Sequence, residues 1–197
     1  MDALPGFLIA AVALAGSPGP ATLSLAATGA AFGARRGFAY LAGIVVGMVA
    51  VMAIVASGTV GLVLAVPGVA PMVAILAALY FLWLAWRIAT APPLSNEGVR
   101  KEAPTVAAGL LLSLVNPKGY VAMAALYSGF TLLPDRLGAD MALKLVVLTL
   151  VIAAVNVAWL LAGAALTRYF RDPRTNRLIN LVFAVALVAS VALAFLV

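Results

Sequence analysis

Two short polar stretches interrupt long apolar runs, and they hold the residues best suited to bind a small solute. The first is "SPGP" at Ser17–Pro20, and the second is "NPKG" at Asn116–Gly119. A proline inside a helix removes one N–H donor and displaces the carbonyl four residues back, so each stretch should free backbone carbonyls. A half-helix beginning near Ala21 would carry partial positive charge at its start, which favours a carboxylate. The two stretches therefore predict a site for a small zwitterion or anion.

Lys118 adds a full positive charge at the second break. A lysine at the centre of a membrane-spanning helix costs about 2.5–3.5 kcal/mol, so its presence needs a reason. One reason is architectural, because its ammonium group would bond carbonyls freed by the first break. The other is functional, because it would meet an anionic group of a substrate. Both interpretations stay open, as does the question of whether Lys118 titrates.

The remaining candidate site residues are uncharged and flank the two breaks. Asparagines are rare in apolar spans and each offers two donors and an acceptor, whereas Ser and Thr commonly bond a preceding carbonyl of their own helix. Tyr120 fits a cavity wall or ordinary packing equally well. The predicted substrate-binding set is Ser17, Pro18, Gly19, Pro20, Thr22, Asn116, Pro117, Lys118, Tyr120 and Asn156. No Asp or Glu is expected within any span, so the usual proton-coupling carboxylate is missing.

The composition excludes most membrane enzymes. The chain has no cysteine and no histidine, which removes disulfides, thiolates and the commonest metal ligand and acid–base group. The sequence "GSPG" around Ser17 is not the G-x-S-x-G nucleophile elbow. We therefore expect no catalytic residue, no metal and no cofactor.

The elements that must position these residues are membrane spans. Of the 197 residues, 66% are hydrophobic and 9% are charged, against about 25% charged in soluble domains. The net charge of +6 comes from basic residues at the ends of apolar runs, which indicates lipid headgroups rather than nucleic acid. The N-terminus lacks the basic region of a signal peptide, so it is interpreted as a retained first span. The expected spans are Leu4–Thr28, Phe38–Leu64, Val69–Ile88, Thr105–Leu133, Met141–Leu166 and Leu178–Val197.

A weak internal symmetry relates the two halves of the chain. Pro18 and Pro117 have the same separation as Pro5 and Pro104. Paired Pro-interrupted spans at corresponding positions are typical of transporters built from inverted repeats. The predicted fold is an all-α integral membrane protein of six transmembrane helices, in which helices 1 and 4 are broken by proline. Residues 1–197 form a single transmembrane domain, with repeats at 1–90 and 105–197 and a cytoplasmic linker at 91–104. Each repeat has an odd number of spans, so the second is inverted.

Basic residues of short linkers predict the orientation, because Lys and Arg stay on the cytoplasmic side. Most of them lie in the first, third and fifth linkers, which should be cytoplasmic and leave both termini outside. These are Arg35, Arg36, Arg87, Arg100, Lys101, Arg168, Arg171, Arg174 and Arg177. The second and fourth linkers hold only Arg136 and Lys144.

Four motifs together resemble the lysine exporter (LysE/RhtB) family. They are "SPGPATL", "ARRGFAYLAGIVVG", "LYFLWLAWRIA" and "GLLLSLVNPKGYVAM". The resemblance implies bacterial inner-membrane efflux of amino acids or their derivatives without ATP hydrolysis. It assigns Pro18, Gly19 and Pro20 to the family's PGP element and Asn116, Pro117 and Lys118 to its NPK element. Gly119 and Tyr120 depart from the residues that are more common in the family. These departures leave the identity of the substrate open, while the transport class stays as the resemblance implies.

Two further questions stay open at the level of sequence. The spacings "GAAFG" at Gly29–Gly33 and "GIVVG" at Gly43–Gly47 permit close helix contact, either within one chain or in a homodimer. Lys118 and a helix start would also suit a carrier of another small anionic metabolite or a lipid phosphate. A membrane scaffold that transports nothing is the remaining alternative.

Overall fold

The computed structural model describes residues 3–58, 66–90, 102–165 and 173–196, in which every regular element is an α-helix. The helices are α1 (Leu4–Gly16), α2 (Pro20–Phe32), α3 (Ala34–Ala56), α4 (Val69–Ala89), α5 (Val106–Val115), α6 (Pro117–Gly129), α7 (Leu137–Ala165) and α8 (Pro173–Leu196). The 91–101 part of the predicted linker lies outside the described residues.

Both predicted interruptions are sharp bends between two helices. The axes of α1 and α2 meet at 58°, and those of α5 and α6 meet at 64°. A proline occupies the first position of each new helix, Pro20 in α2 and Pro117 in α6. At the first position of a helix the backbone N–H has no partner within the helix, so proline loses no hydrogen bond there. The proline therefore ends one helix and starts the next.

The helices α3 and α7 are each long and apolar enough to cross a bilayer. Each bent pair passes the same criterion as one broken span, which gives up to four spans among the described residues. The helices α4 and α8 occupy the third and sixth predicted spans, and the total of six remains a prediction.

Several predicted boundaries were wrong by part of a helix. Arg35 and Arg36 lie in the first turn of α3 rather than in a linker, since Gly33 alone separates α2 from α3 with φ of 77°. α3 ends at Ala56 rather than at Leu64. Gly58, two residues after this end, turns the chain with φ of 72°. α7 begins at Leu137, so it includes Asp140.

The halves of the chain interlock through glycines. α3 packs along α5 and against α6, and α7 packs along α2 and against α1. A Cβ atom on Gly43 or Gly109 would collide with backbone across the α3–α5 contact, and one on Gly29 or Gly163 would do so across the α2–α7 contact. The Gly43–Gly47 spacing thus serves contact within one chain, and the homodimer remains a prediction.

Candidate functional site

The end of α1 is held by side chains that bond its released carbonyls. Ser17 Oγ donates to the carbonyl of Leu14 at 2.9 Å, within its own turn. The indole Nε1 of Trp159, on α7, donates to the carbonyl of Gly16 at 3.3 Å. Backbone polar groups that lose their helical partners inside a bilayer need such replacements. The first break is therefore a fixed structural element.

Lys118 reaches from the start of α6 to the first break. Its Nζ donates to the carbonyl of Ser17 at 2.6 Å and to that of Pro18 at 3.3 Å. A Cβ on Gly19 would lie 2.9 Å from the same Nζ, so the lysine passes directly over that glycine. The architectural role expected for Lys118 is thus present, and it joins the two breaks.

The start of α2 has the geometry of an anion site. Thr22 Oγ1 accepts a hydrogen bond from the Gly19 N–H at 2.9 Å and lies 3.1 Å from the Gly19 carbonyl, to which it donates. The N–H groups of Ala21 and Thr22 lie in the first turn, where no carbonyl of the helix itself is available to them. These free donors and the helix dipole together favour a negatively charged group.

The second break contributes an unpaired acceptor. Asn116 is 4% exposed, and its Oδ1 accepts no hydrogen bond from any described residue. An unsatisfied buried acceptor costs about 1–3 kcal/mol, so a ligand donor at this position would recover a real loss. Tyr120, in contrast, directs its hydroxyl to the Leu114 carbonyl at 2.9 Å and closes the end of α5.

A cavity of about 50 Å³ lies between the two breaks. Of the predicted site residues, those that line it are Gly19, Pro20, Thr22, Asn116, Lys118 and Asn156. Ser17, Pro18, Pro117 and Tyr120 do not line it and instead shape or close the breaks. Lys118 is the only charged residue among the described residues lining this cavity. The lining of the cavity therefore combines one positive charge with an unpaired acceptor, Asn116 Oδ1.

Residues that sequence reasoning did not select complete the cavity wall. They are Leu14, Ala15, Ala21, Ile44, Met48, Gly119, Ala122, Met123 and Ile152. Most are apolar residues of the kind that fill any helical core, so their types gave no signal. Trp159, which bonds the end of α1, was missed as well, because a tryptophan less than two turns from the end of α7 also fits an interfacial position.

A buried lysine on α7, Lys144, stabilises the far end of α6. Lys144 and Asp140 form an ion pair with Nζ and Oδ2 2.7 Å apart, and each residue is 1% exposed. Lys144 also donates to the carbonyls of Tyr127 and Phe130, while Asp140 Oδ1 accepts from the N–H of Leu132 at 2.6 Å. The expectation that no acidic residue falls within a span was wrong for Asp140, which lies in the candidate span Leu137–Ala165. Its carboxylate is tolerated there because Lys144, one turn away, neutralises it.

The described residues offer no cluster of His, Cys, Asp or Glu able to hold a metal ion. The cavity instead combines a cation, free N–H donors and an unpaired acceptor, between two bent helix pairs of a strongly apolar chain. Paired broken helices around a central cavity are typical of membrane transporters.

Comparison with known proteins gives the family. The model of the LysE type translocator family matches residues 12–197, and the chain belongs to this family of amino-acid efflux transporters. It is similar to the cysteine/O-acetylserine efflux protein of Salmonella paratyphi A, with 31% identity over 173 residues, or 87% of each chain. The protein of that name from Escherichia coli (strain K12) is 30% identical over the same coverage. No solved structure matches the chain. The protein is thus a multi-pass protein of the inner membrane.

Proposed function

We propose that this protein exports small amino acids with uncharged side chains, or their derivatives. The substrate binds near the midplane of the membrane, between the two broken helices. The observation that carries the proposal is the cavity in which Lys118, the start of α2 and the unpaired Oδ1 of Asn116 meet. A zwitterion has a carboxylate for Lys118 and the start of α2, and an ammonium group for Asn116 Oδ1. The names of the two efflux proteins to which the chain is similar make cysteine and O-acetylserine the first substrates to test.

In this binding mode the substrate carboxylate takes the N–H groups of Ala21 and Thr22, and Lys118 completes the neutralisation. A helix start supplies only about half an elementary charge, so the ammonium group is needed as well. The substrate ammonium donates to Asn116 Oδ1 and to the side chain of Asn156 on the facing helix α7. A pure anion would leave Asn116 Oδ1 unpaired, which favours a zwitterion over a metabolite anion or a lipid phosphate.

Transport also requires the cavity walls to separate. The cavity volume of about 50 Å³ holds a few water molecules, so we infer that the cavity must widen to bind an amino acid. We infer that access to the cavity alternates between the two sides of the membrane. Rocking of one half of the protein against the other is the usual way in which carriers with broken helices open.

The two halves are proposed to be inverted repeats within one transmembrane domain, 1–90 and 105–197, with both termini outside. The packing supports this proposal, since α3 contacts both parts of the second broken pair and α7 contacts both parts of the first. Each half therefore supplies one long helix that packs on the broken pair of the other.

The test is counterflow into liposomes that contain purified protein. We expect exchange of labelled cysteine or O-acetylserine, weak exchange of lysine and arginine, and none of organic phosphates. Exchange of phosphates or dicarboxylates without amino acids would replace the proposal with an anion carrier. Absence of exchange for the whole panel, with folded protein in the vesicles, would indicate a scaffold.

A further inference from the structure

Buried glycines of the described helices mostly have an evident packing reason. Glycine is less stable in a helix than alanine, so its use calls for an explanation. For Gly29, Gly43, Gly109 and Gly163 the explanation is the backbone of a facing helix, which leaves no space for a Cβ atom. These glycines set the distance between helices.

Gly119 has a different environment. It is buried in the first turn of α6 and lines the cavity. A Cβ atom there would meet only the flexible side chain of Met48, at 3.2 Å from Sδ and 3.5 Å from Cε. No backbone approaches it within 4 Å. The missing methyl group therefore leaves room for the flexible Met48 side chain, which a Cβ atom would push aside.

The wall around Gly119 is apolar. Met123 lies one turn further along α6, and Ile44 lies one turn before Met48 on α3, so both pairs share a helix face. All four residues line the cavity. Methionine side chains are unbranched and polarisable, which lets them adapt to side chains of different shape and contact sulfur or carbon favourably.

We propose that Gly119 and Met48 form the subsite that receives the side chain of the transported amino acid and limits its size and charge. The inference rests on the proposed function, whose zwitterion contacts occupy the polar side of the same cavity. Because the Met48 side chain is flexible, it can move away from Gly119 to admit a short thiol, hydroxyl or ester side chain. A cationic side chain would be buried there without a carboxylate to pair with it, which is strongly unfavourable.

The test is the substitution Gly119→Ala, with Gly129→Ala as its matched control. Gly129 ends the same helix, and a Cβ atom there has no neighbour within 4 Å. In counterflow, Gly119→Ala should reduce exchange of O-acetylserine relative to alanine about tenfold or more, the usual effect of one methyl group in an apolar pocket. Gly129→Ala should leave that ratio unchanged.

The converse variant, Met48→Ala, should widen the subsite and raise exchange of leucine and methionine relative to alanine. It also keeps the proposal open to refutation if Gly119→Ala does not fold. Equal effects of Gly119→Ala on every substrate, or an unchanged size preference in Met48→Ala, would overturn the assignment of the subsite. Failure of the wild-type protein to exchange any amino acid would instead refute the proposed function itself.

Discussion

A lysine ammonium group has three donors, and the first break of this protein uses two of those of Lys118. Nζ of Lys118 bonds the carbonyls of Ser17 and Pro18, which leaves one N–H for a substrate. The architectural and functional interpretations of Lys118 are therefore compatible. A single residue joins the second break to the first and also supplies the positive charge of the cavity.

Replacing Lys118 with alanine should abolish most transport. The variant loses charge-assisted hydrogen bonds worth about 1.5–3 kcal/mol each, so counterflow should fall by at least about tenfold. Lys118→Arg should rescue little, because a planar guanidinium fork does not replace a compact ammonium group. Rates are normalised to monodisperse protein, with Arg136→Ala on the exposed surface as control. Normal exchange by folded Lys118→Ala would show that Lys118 does not bind substrate and has at most an architectural role.

Asn116 allows binding to be separated from folding. Asn116→Ala removes a buried acceptor that has no partner among the described residues, so thermal stability should change little or rise. Substrate exchange should nevertheless fall about tenfold, since the ammonium loses its partner. Tyr120→Phe is the contrasting variant, because its hydroxyl bonds the Leu114 carbonyl outside the cavity. It should lower stability while leaving apparent substrate affinity unchanged, and the reverse pattern would contradict the site.

At the scale of helices, the ion pair of Asp140 and Lys144 ties the start of α7 to the end of α6. Either single change, Asp140→Asn or Lys144→Met, leaves one buried group without its partner and should cost about 3 kcal/mol or more. The double variant should lose less than the sum of the two. Thermal unfolding in detergent measures this cycle, and strictly additive losses would show that the two residues act independently.

The helix breaks were predictable because proline and glycine act locally, and the bends of 58° and 64° lie where "SPGP" and "NPKG" stand. The start of α7 was missed for an equally physical reason. Asp140 and Lys144 read singly as charges that end a span, yet four residues apart they share a face and neutralise each other. The partners of the breaks, Trp159 and Met48, depend on which helix faces which. In chains apolar on every side, that information is absent from the periodicity.

For the whole molecule, the structure strengthens the orientation argument. Lys144 is buried and neutralised, so Arg136 is the one exposed cation among the described residues of the linkers expected outside. Arg35 and Arg36 are exposed in the first turn of α3, directly after the broken first span. Burial of Lys144 thus removes one of the two basic residues counted for the linkers expected outside, and the orientation itself remains a prediction.

Single-cysteine labelling tests this orientation directly, because the chain has no native thiol. In intact cells, a membrane-impermeant maleimide should modify Arg136→Cys and leave Arg36→Cys unmodified until the membrane is opened. The expected pattern follows from retention of basic linkers on the cytoplasmic side. Labelling of Arg36→Cys from outside, with Arg136→Cys protected, would place both termini in the cytoplasm.

The glycine contacts between α3 and α5 also constrain how the protein is made. α3 is synthesised well before Val106, whose carbonyl fills the space above Gly43. Until the ribosome has delivered α5, the glycine-bearing face of α3 has only lipid to cover it. The same holds for α2, whose Gly29 waits for α7. The first half of the chain is thus synthesised early but completes its helix packing only after the second half has followed.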